Sequence, residues 1–173
     1  MNIGIDKFGL AIPEYFLDIR DLAVARNENA NKFLKGLLQL EMSVSPVTQD
    51  IVTLGAAAAH EFLTEEDKKK IDMVIIGTET GVDQSKSASV FIHNLLGIQP
   101  FARCIEIKEA CYGATAGLDF AKKHIENNPD SYVLLIASDI AKYGIGTSGE
   151  STQGSGSCAM LIKKDPNVLI LNN

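Results

Sequence analysis

The run Glu109-Ala-Cys-Tyr-Gly113 sets a cysteine just after a short apolar stretch, 104–107, and at the start of a helical pattern, 111–126. A thiol attacks a carbonyl carbon only as thiolate. A helix N-terminus favours that state, because its unpaired backbone N–H groups and its dipole stabilise negative charge. The small residues Ala110, Gly113, Ala114, Ala116 and Gly117 leave room for a substrate at the sulfur and for backbone N–H groups near an oxyanion. Cys111 is therefore the candidate nucleophile; the plain alternative is a small buried hydrophobe. Glu79 in Gly77-Thr-Glu-Thr80 and Asp139 in Ser138-Asp-Ile140 also follow apolar runs, 72–77 and 132–137. If these runs are parallel strands, all three groups fall at one carboxyl edge of a sheet, where open α/β folds bind ligands. There Glu79 would be a general acid or base, its pKa raised by apolar surroundings, or else a surface or capping carboxylate. Asp139 reads first as an acceptor for loop N–H groups and second as a site residue.

Other patterns carry less. Gly144-Ile-Gly-Thr-Ser-Gly149 matches the dinucleotide fingerprint, but a strand pattern follows it where a helix would be required, so no nucleotide cofactor is expected. His60, His93 and His124 lie in helical patterns and are expected to face solvent or be satisfied in the core, not to pair with Cys111. Cysteines at 104, 111 and 158, with no C-x-x-C spacing, argue against a disulfide framework and against a metal site.

The elements that must position these groups alternate. Residues 3–12 form an apolar run closed by Pro13, which suits a strand, and Asp18 is placed to cap a short helix. Residues 27–45 show no regular pattern. A helical stripe through Ile51, Leu54, Ala58 and Phe62 includes the small-residue run 55–59, which lets another element approach closely. The run 72–77 is a strand covered on both faces; a helix over 86–96 follows, with Gly97 as its left-handed cap. After the strand 132–137 come two further apolar runs, 157–162 and 168–171, with no helix between them; an antiparallel edge or hairpin is expected there. The fold class is α/β, a mostly parallel mixed sheet of about five strands with helices on both faces.

Composition narrows the function. A net charge of −6 and a pI near 5.0 give no basic field for nucleic acid. The first residues lack a signal-peptide pattern and no run approaches a membrane span, so a cytoplasmic protein without membrane contact is expected.

Taken together, residues 109–117, Gly77-Thr-Glu-Thr80 with Asp83-Gln-Ser-Lys86, Ser138 to Gly144 and Ser151-Thr-Gln-Gly154 resemble the bacterial hydroxymethylglutaryl-CoA synthases of the thiolase-like superfamily. The resemblance runs along the whole of 1–173 and implies the first of two similar halves, in a homodimeric enzyme of the mevalonate route to isoprenoids. It implies that Cys111 takes acetyl from acetyl-CoA, that Glu79 removes a methyl proton, and that the carbanion equivalent attacks acetoacetyl-CoA. It further implies that Asp139 and Tyr143 shape the acyl pocket, that Thr152 contacts the acyl or pantetheine part, and that Asp83 supports the surroundings of Glu79. No cofactor is implied, the CoA thioesters being substrates; the family's histidine is expected in the second half, so this half alone should not complete the reaction. A helix face that packs on that half should be apolar and exposed. One local departure stands out. Leu38 in Gly36-Leu-Leu-Gln39 occupies a place where the family usually has glycine, and would be strained if the backbone needs positive φ. Two other readings remain open: a ketoacyl synthase, which needs no carboxylate at Glu79, and a non-catalytic α/β interaction domain.

Overall fold

In the computed structural model, which describes residues 1–172, the chain begins with strand β1 (Ile3–Ala11), β2 (Tyr15–Asp18), helices α1 (Ile19–Ala25) and α2 (Ala30–Leu34), and β3 (Glu41–Val44). Then follow α3 (Ile51–His60), α4 (Glu65–Lys70), β4 (Ile71–Gly77), α5 (Ala88–Leu96), β5 (Arg103–Ile107), α6 (Gly113–Asn127), β6 (Tyr132–Ala141), β7 (Gly154–Lys164) and β8 (Leu169–Ile170). A six-stranded sheet has the order β5-β4-β6-β7-β1-β8, and β2 and β3 form a separate two-stranded ribbon. β1, β4, β5 and β6 run one way, β7 and β8 the other. The fold class is as expected, with one strand more. The last two strands are antiparallel to their neighbours but do not form a hairpin, because β1 lies between them.

Alternation along β4 and β6 divides the core. Val74, Ile76, Leu134 and Ile136 pack with Ile51 and Ala58 of α3 and Ile92 of α5, while Met73, Ile75, Val133 and Leu135 pack with Ala121 and Ile125 of α6. Both faces are thus covered, which is why these strands read as unbroken apolar runs. Each fully buried aliphatic chain contributes roughly 2 kcal/mol. Gly55 shows why the small run in α3 matters: a Cβ there would lie 2.9 Å from Ile92 Cδ1.

Helix ends follow local chemistry. Asp50 accepts from Thr53 N while Thr53 Oγ1 accepts from Asp50 N, a complete capping box at α3. Gly97 closes α5 at φ 64, in the left-handed region. The exposed side of α6 is mixed: Phe120 stands with Thr115, Asp119 and Lys123, so the expected apolar helix face is not present on it. No helix among the described residues is long and apolar enough to cross a membrane.

Candidate active site

The carboxyl ends of β4, β5 and β6 meet at one edge, and two glycines bring α6 against them. A Cβ on Gly77 would fall on the Ala114 amide, and one on Gly113 would lie 2.9 Å from the Ile107 carbonyl oxygen. Only glycine permits this approach, and it sets the turn before α6 directly beside the turn after β4. Cys111 lies in that turn, two residues ahead of α6, not in the helix as the pattern over 111–126 suggested. Tyr112 N donates to Glu109 O and Gly113 N to Ala110 O, so the chain reverses tightly around the cysteine. Ala110 adopts φ 47, a left-handed conformation unfavourable for any residue with a Cβ. The outcome is an exposed thiol at the mouth of a helix.

The Cys111 thiol donates to Glu79 Oε1 at 3.4 Å. The sequence-predicted nucleophile and acid/base are therefore adjacent. Glu79 is exposed, however, so the apolar surroundings expected for it are not supplied by these residues: the buried strand ends at Gly77 and Thr78, and Glu79 is already in the turn.

Asp139 explains how that turn is held. It lies inside β6, not after it, because β6 continues to Ala141 in register with Gly154 of β7. Its Oδ1 accepts from Thr78 Oγ1 (2.9 Å), Glu79 N (2.8 Å), Thr80 N (3.1 Å) and Thr80 Oγ1 (2.8 Å). The acceptor reading of Asp139 is thus the one its hydrogen bonds support. Its carboxylate is engaged by the backbone that carries Glu79. Thr78 N in turn donates to Ile107 O at the end of β5. Thr78 and Thr80 were missed from sequence, although two hydroxyls flanking a strand-end glutamate are the type of residue that anchors such turns.

Tyr143 also belongs to this group. The negative charge of Glu79, and after it burial and the electrostatic influence of Cys111 and Asp139, push its phenol above the ordinary tyrosine value. Asp83 and Thr152 are held by local hydrogen bonds. Asp83 Oδ1 accepts from Ser85 N and Lys86 N, which holds its carboxyl below the usual range, and among the described residues these bonds serve its own turn, not Glu79. Thr152 donates to Gly149 O and lines an open groove of about 650 Å3 with Leu37, Leu38, Gln39, Leu40 and Glu41. In that groove Leu38 has φ 54, so the strain expected from this departure is present. The histidines lie elsewhere: His93 Nε2 contacts Gln99 O, His124 Nε2 contacts Asp72, and His60 is exposed at the end of α3. Residues 144–149 lead into a 3-10 turn, Glu150–Thr152, and then β7, which confirms that they do not open a dinucleotide-binding helix.

The profile of the hydroxymethylglutaryl-coenzyme A synthase N-terminal family matches residues 1–167. The chain belongs to this family. It is 56% identical over 171 residues to the hydroxymethylglutaryl-CoA synthase of Enterococcus faecalis, an alignment covering 99% of this chain and 45% of that relative. It is 33% identical over 183 residues to the polyketide biosynthesis 3-hydroxy-3-methylglutaryl-ACP synthase PksG of Bacillus subtilis (strain 168), covering 97% and 43%. The crystal structure of an HMG-CoA synthase complexed with CoA superposes at TM-score 0.98 and 62% identity, covering 100% of this chain and 45% of that one. The chain spans about half the length of the relatives it matches. In this member of the family, then, the sheet edge holds an exposed thiol, a carboxylate in contact with it, and a second carboxylate that fixes the turn carrying the first.

Proposed function

We propose that the full-length protein condenses acetyl-CoA with acetoacetyl-CoA to give 3-hydroxy-3-methylglutaryl-CoA, with Cys111 as nucleophile and Glu79 as acid/base. The observation that carries this reading is the 3.4 Å contact between Cys111 Sγ and Glu79 Oε1 in a chain of this family. Glu79 is placed to take the thiol proton; the sulfur then attacks the acetyl thioester carbonyl, and the C–S bond to CoA breaks as CoA thiol leaves with a proton. Once acetyl is on Cys111, the carboxylate removes a proton from its methyl group. The carbon so freed bonds to the ketone carbon of acetoacetyl-CoA, whose oxygen is protonated. Water then cleaves the thioester, releasing the product acid and the Cys111 thiol.

The family's histidine donor to acetoacetyl-CoA is not among His60, His93 and His124, which are placed away from the pair, and would come from the remainder of the polypeptide. Exposure of Cys111 and Glu79 fits a site that the second half completes, with residues 1–173 as the first half. The reading includes a cytoplasmic homodimer with no cofactor besides its CoA substrates, on the strength of the family resemblance, and a place in the mevalonate route. The test is mass spectrometry of the full-length protein after incubation with acetyl-CoA. About one acetyl group per chain, located on Cys111 and missing in Cys111→Ser, is expected. No adduct on the wild-type thiol would overturn the proposal.

A further inference from the structure

The glycine-rich stretch 144–149 opens no helix, yet its geometry is tightly specified. It belongs to the long connection between β6 and β7, whose ends are fixed where Ala141 pairs with Gly154. Tyr143 starts this connection, four residues after the Asp139 that anchors the Glu79 turn. Its backbone is held at three points. Gln153 Oε1 accepts from Tyr143 N (2.7 Å) and Gly144 N (3.0 Å), and Thr147 Oγ1 donates to Tyr143 O (3.0 Å). Gly144 and Gly146 take φ 96 and 72, which a side chain would resist. Gly149 packs directly on the tyrosine: a Cβ there would lie 2.9 Å from Tyr143 Cβ.

An ion pair between a buried carboxylate and a partly exposed guanidinium closes the arrangement from behind. Glu150, 6% exposed, accepts from Arg26 Nε (2.7 Å), Arg26 Nη2 (2.6 Å) and Gly146 N (2.8 Å). Arg26 caps the C-terminus of α1, so the pair fastens the loop to a helix far away in sequence. A bidentate guanidinium–carboxylate contact fixes direction as well as distance. The Gly146 amide bonded to the same carboxylate transmits that fixation to the middle of the loop.

We infer that Glu150 and Arg26 are positioning residues, which act through the 144–149 loop to hold Tyr143 at the carboxyl end of β6, on the sheet edge that carries Cys111 and Glu79. The inference rests on the proposed acyl-transfer reading for its kinetic consequence, but not for its structural one. It also gives the G-x-G-x-x-G run a role: two glycines make the reversals, and the third makes room for the tyrosine.

The test uses the full-length protein and two independent perturbations. Glu150→Gln weakens the grip on Arg26 and Gly146; Gly149→Ala pushes on Tyr143 from the other side without touching the ion pair. Ultraviolet titration, with Tyr143→Phe as the subtraction control, isolates this phenol. In the wild type it is expected to titrate above an ordinary tyrosine, and in either variant to move back towards the ordinary value as the phenol and Glu79 separate. Cys111 acetylation should slow by roughly ten- to hundredfold, and Glu150→Gln combined with Tyr143→Phe should be no slower than the slower single variant. Circular dichroism selects variants that remain folded, and Gly149→Ala serves if Glu150→Gln does not. An unmoved phenol titration in folded variants, or rate losses that multiply in the double variant, would overturn the inference. Failure of the wild type to acetylate Cys111 would instead sink the acyl-transfer reading, with the titration still testing the tyrosine seat.

Discussion

Asp139→Ala is the substitution whose consequence follows most directly from the geometry. One carboxylate oxygen accepts from Thr78 Oγ1, Glu79 N, Thr80 N and Thr80 Oγ1. Thr78 is completely buried, so its hydroxyl has no water to turn to, whereas the Glu79 and Thr80 groups lie nearer solvent. A buried donor left unpaired costs about 1–3 kcal/mol and each of the three hydrogen bonds that water can replace about 1 kcal/mol, which brings the total to roughly 4–6 kcal/mol. That is a large part of the 5–15 kcal/mol typical of a domain, yet compatible with a folded protein at low temperature. The kinetic effect is separate: a freed turn lets Glu79 move by about 1 Å or more, enough for roughly a hundredfold loss in acetylation rate. Asp139→Asn keeps an oxygen but not the charge and should fall between. Urea unfolding and time-resolved mass spectrometry of Cys111 acetylation read the two effects. If Asp139→Ala raises only KM for acetyl-CoA and leaves stability untouched, Asp139 is a substrate contact and the anchoring argument is wrong.

Leu38→Gly should stabilise the protein by roughly 1 kcal/mol, because it removes a left-handed leucine that, at 84% exposed, buries almost nothing; a thermal melt shifted downwards would contradict this. Gly77→Ala should destabilise by about 1–3 kcal/mol and separate α6 from β4, which calorimetry and loss of Cys111 acetylation would report together. Glu150 is held by Arg26 and Gly146 at a pKa of about 2, below its ordinary 4.5, so it contributes stability above the ordinary value that is lost as pH falls from about 4.5 towards about 2. Glu150→Gln should therefore be less stable than wild type at neutral pH, with the difference shrinking through that window in acid unfolding curves. A pH-independent difference would mean the ion pair is not its source.

Much of this was readable from residue order because local chemistry and burial agree. The runs 72–77 and 132–137 are buried on both faces, Asp18 and Gly97 cap the helices they flank, and Cys111 and Glu79 follow strands that turn out to be neighbours. What could not be read depends on contacts far apart in sequence or on elements without an apolar stripe. The helix α4, Glu-Glu-Asp-Lys-Lys-Lys, has no periodic apolar face; only the Thr64–Asp67 capping box marks it. The β2–β3 ribbon pairs residues across an intervening helical segment, and β1 joins the sheet between β7 and β8. Asp139 was visible as a polar residue at a strand end, but its engagement with Thr78 and Thr80 required β6 to run on past it. Arg26 and Glu150 meet across 124 positions of the chain, and nothing local announces them.

The central claim is that Glu79 moves protons for a thioester formed on Cys111. Glu79→Gln in the full-length protein, incubated first with acetyl-CoA and then with acetoacetyl-CoA, tests it most directly when the Cys111 peptide and the released product are both followed by mass spectrometry. The predicted result is slower acetylation of Cys111 and, once acetyl is on the sulfur, condensation slowed by at least about a further hundredfold, since general acid–base steps contribute roughly that much or more. Condensation at the wild-type rate in Glu79→Gln would contradict the account.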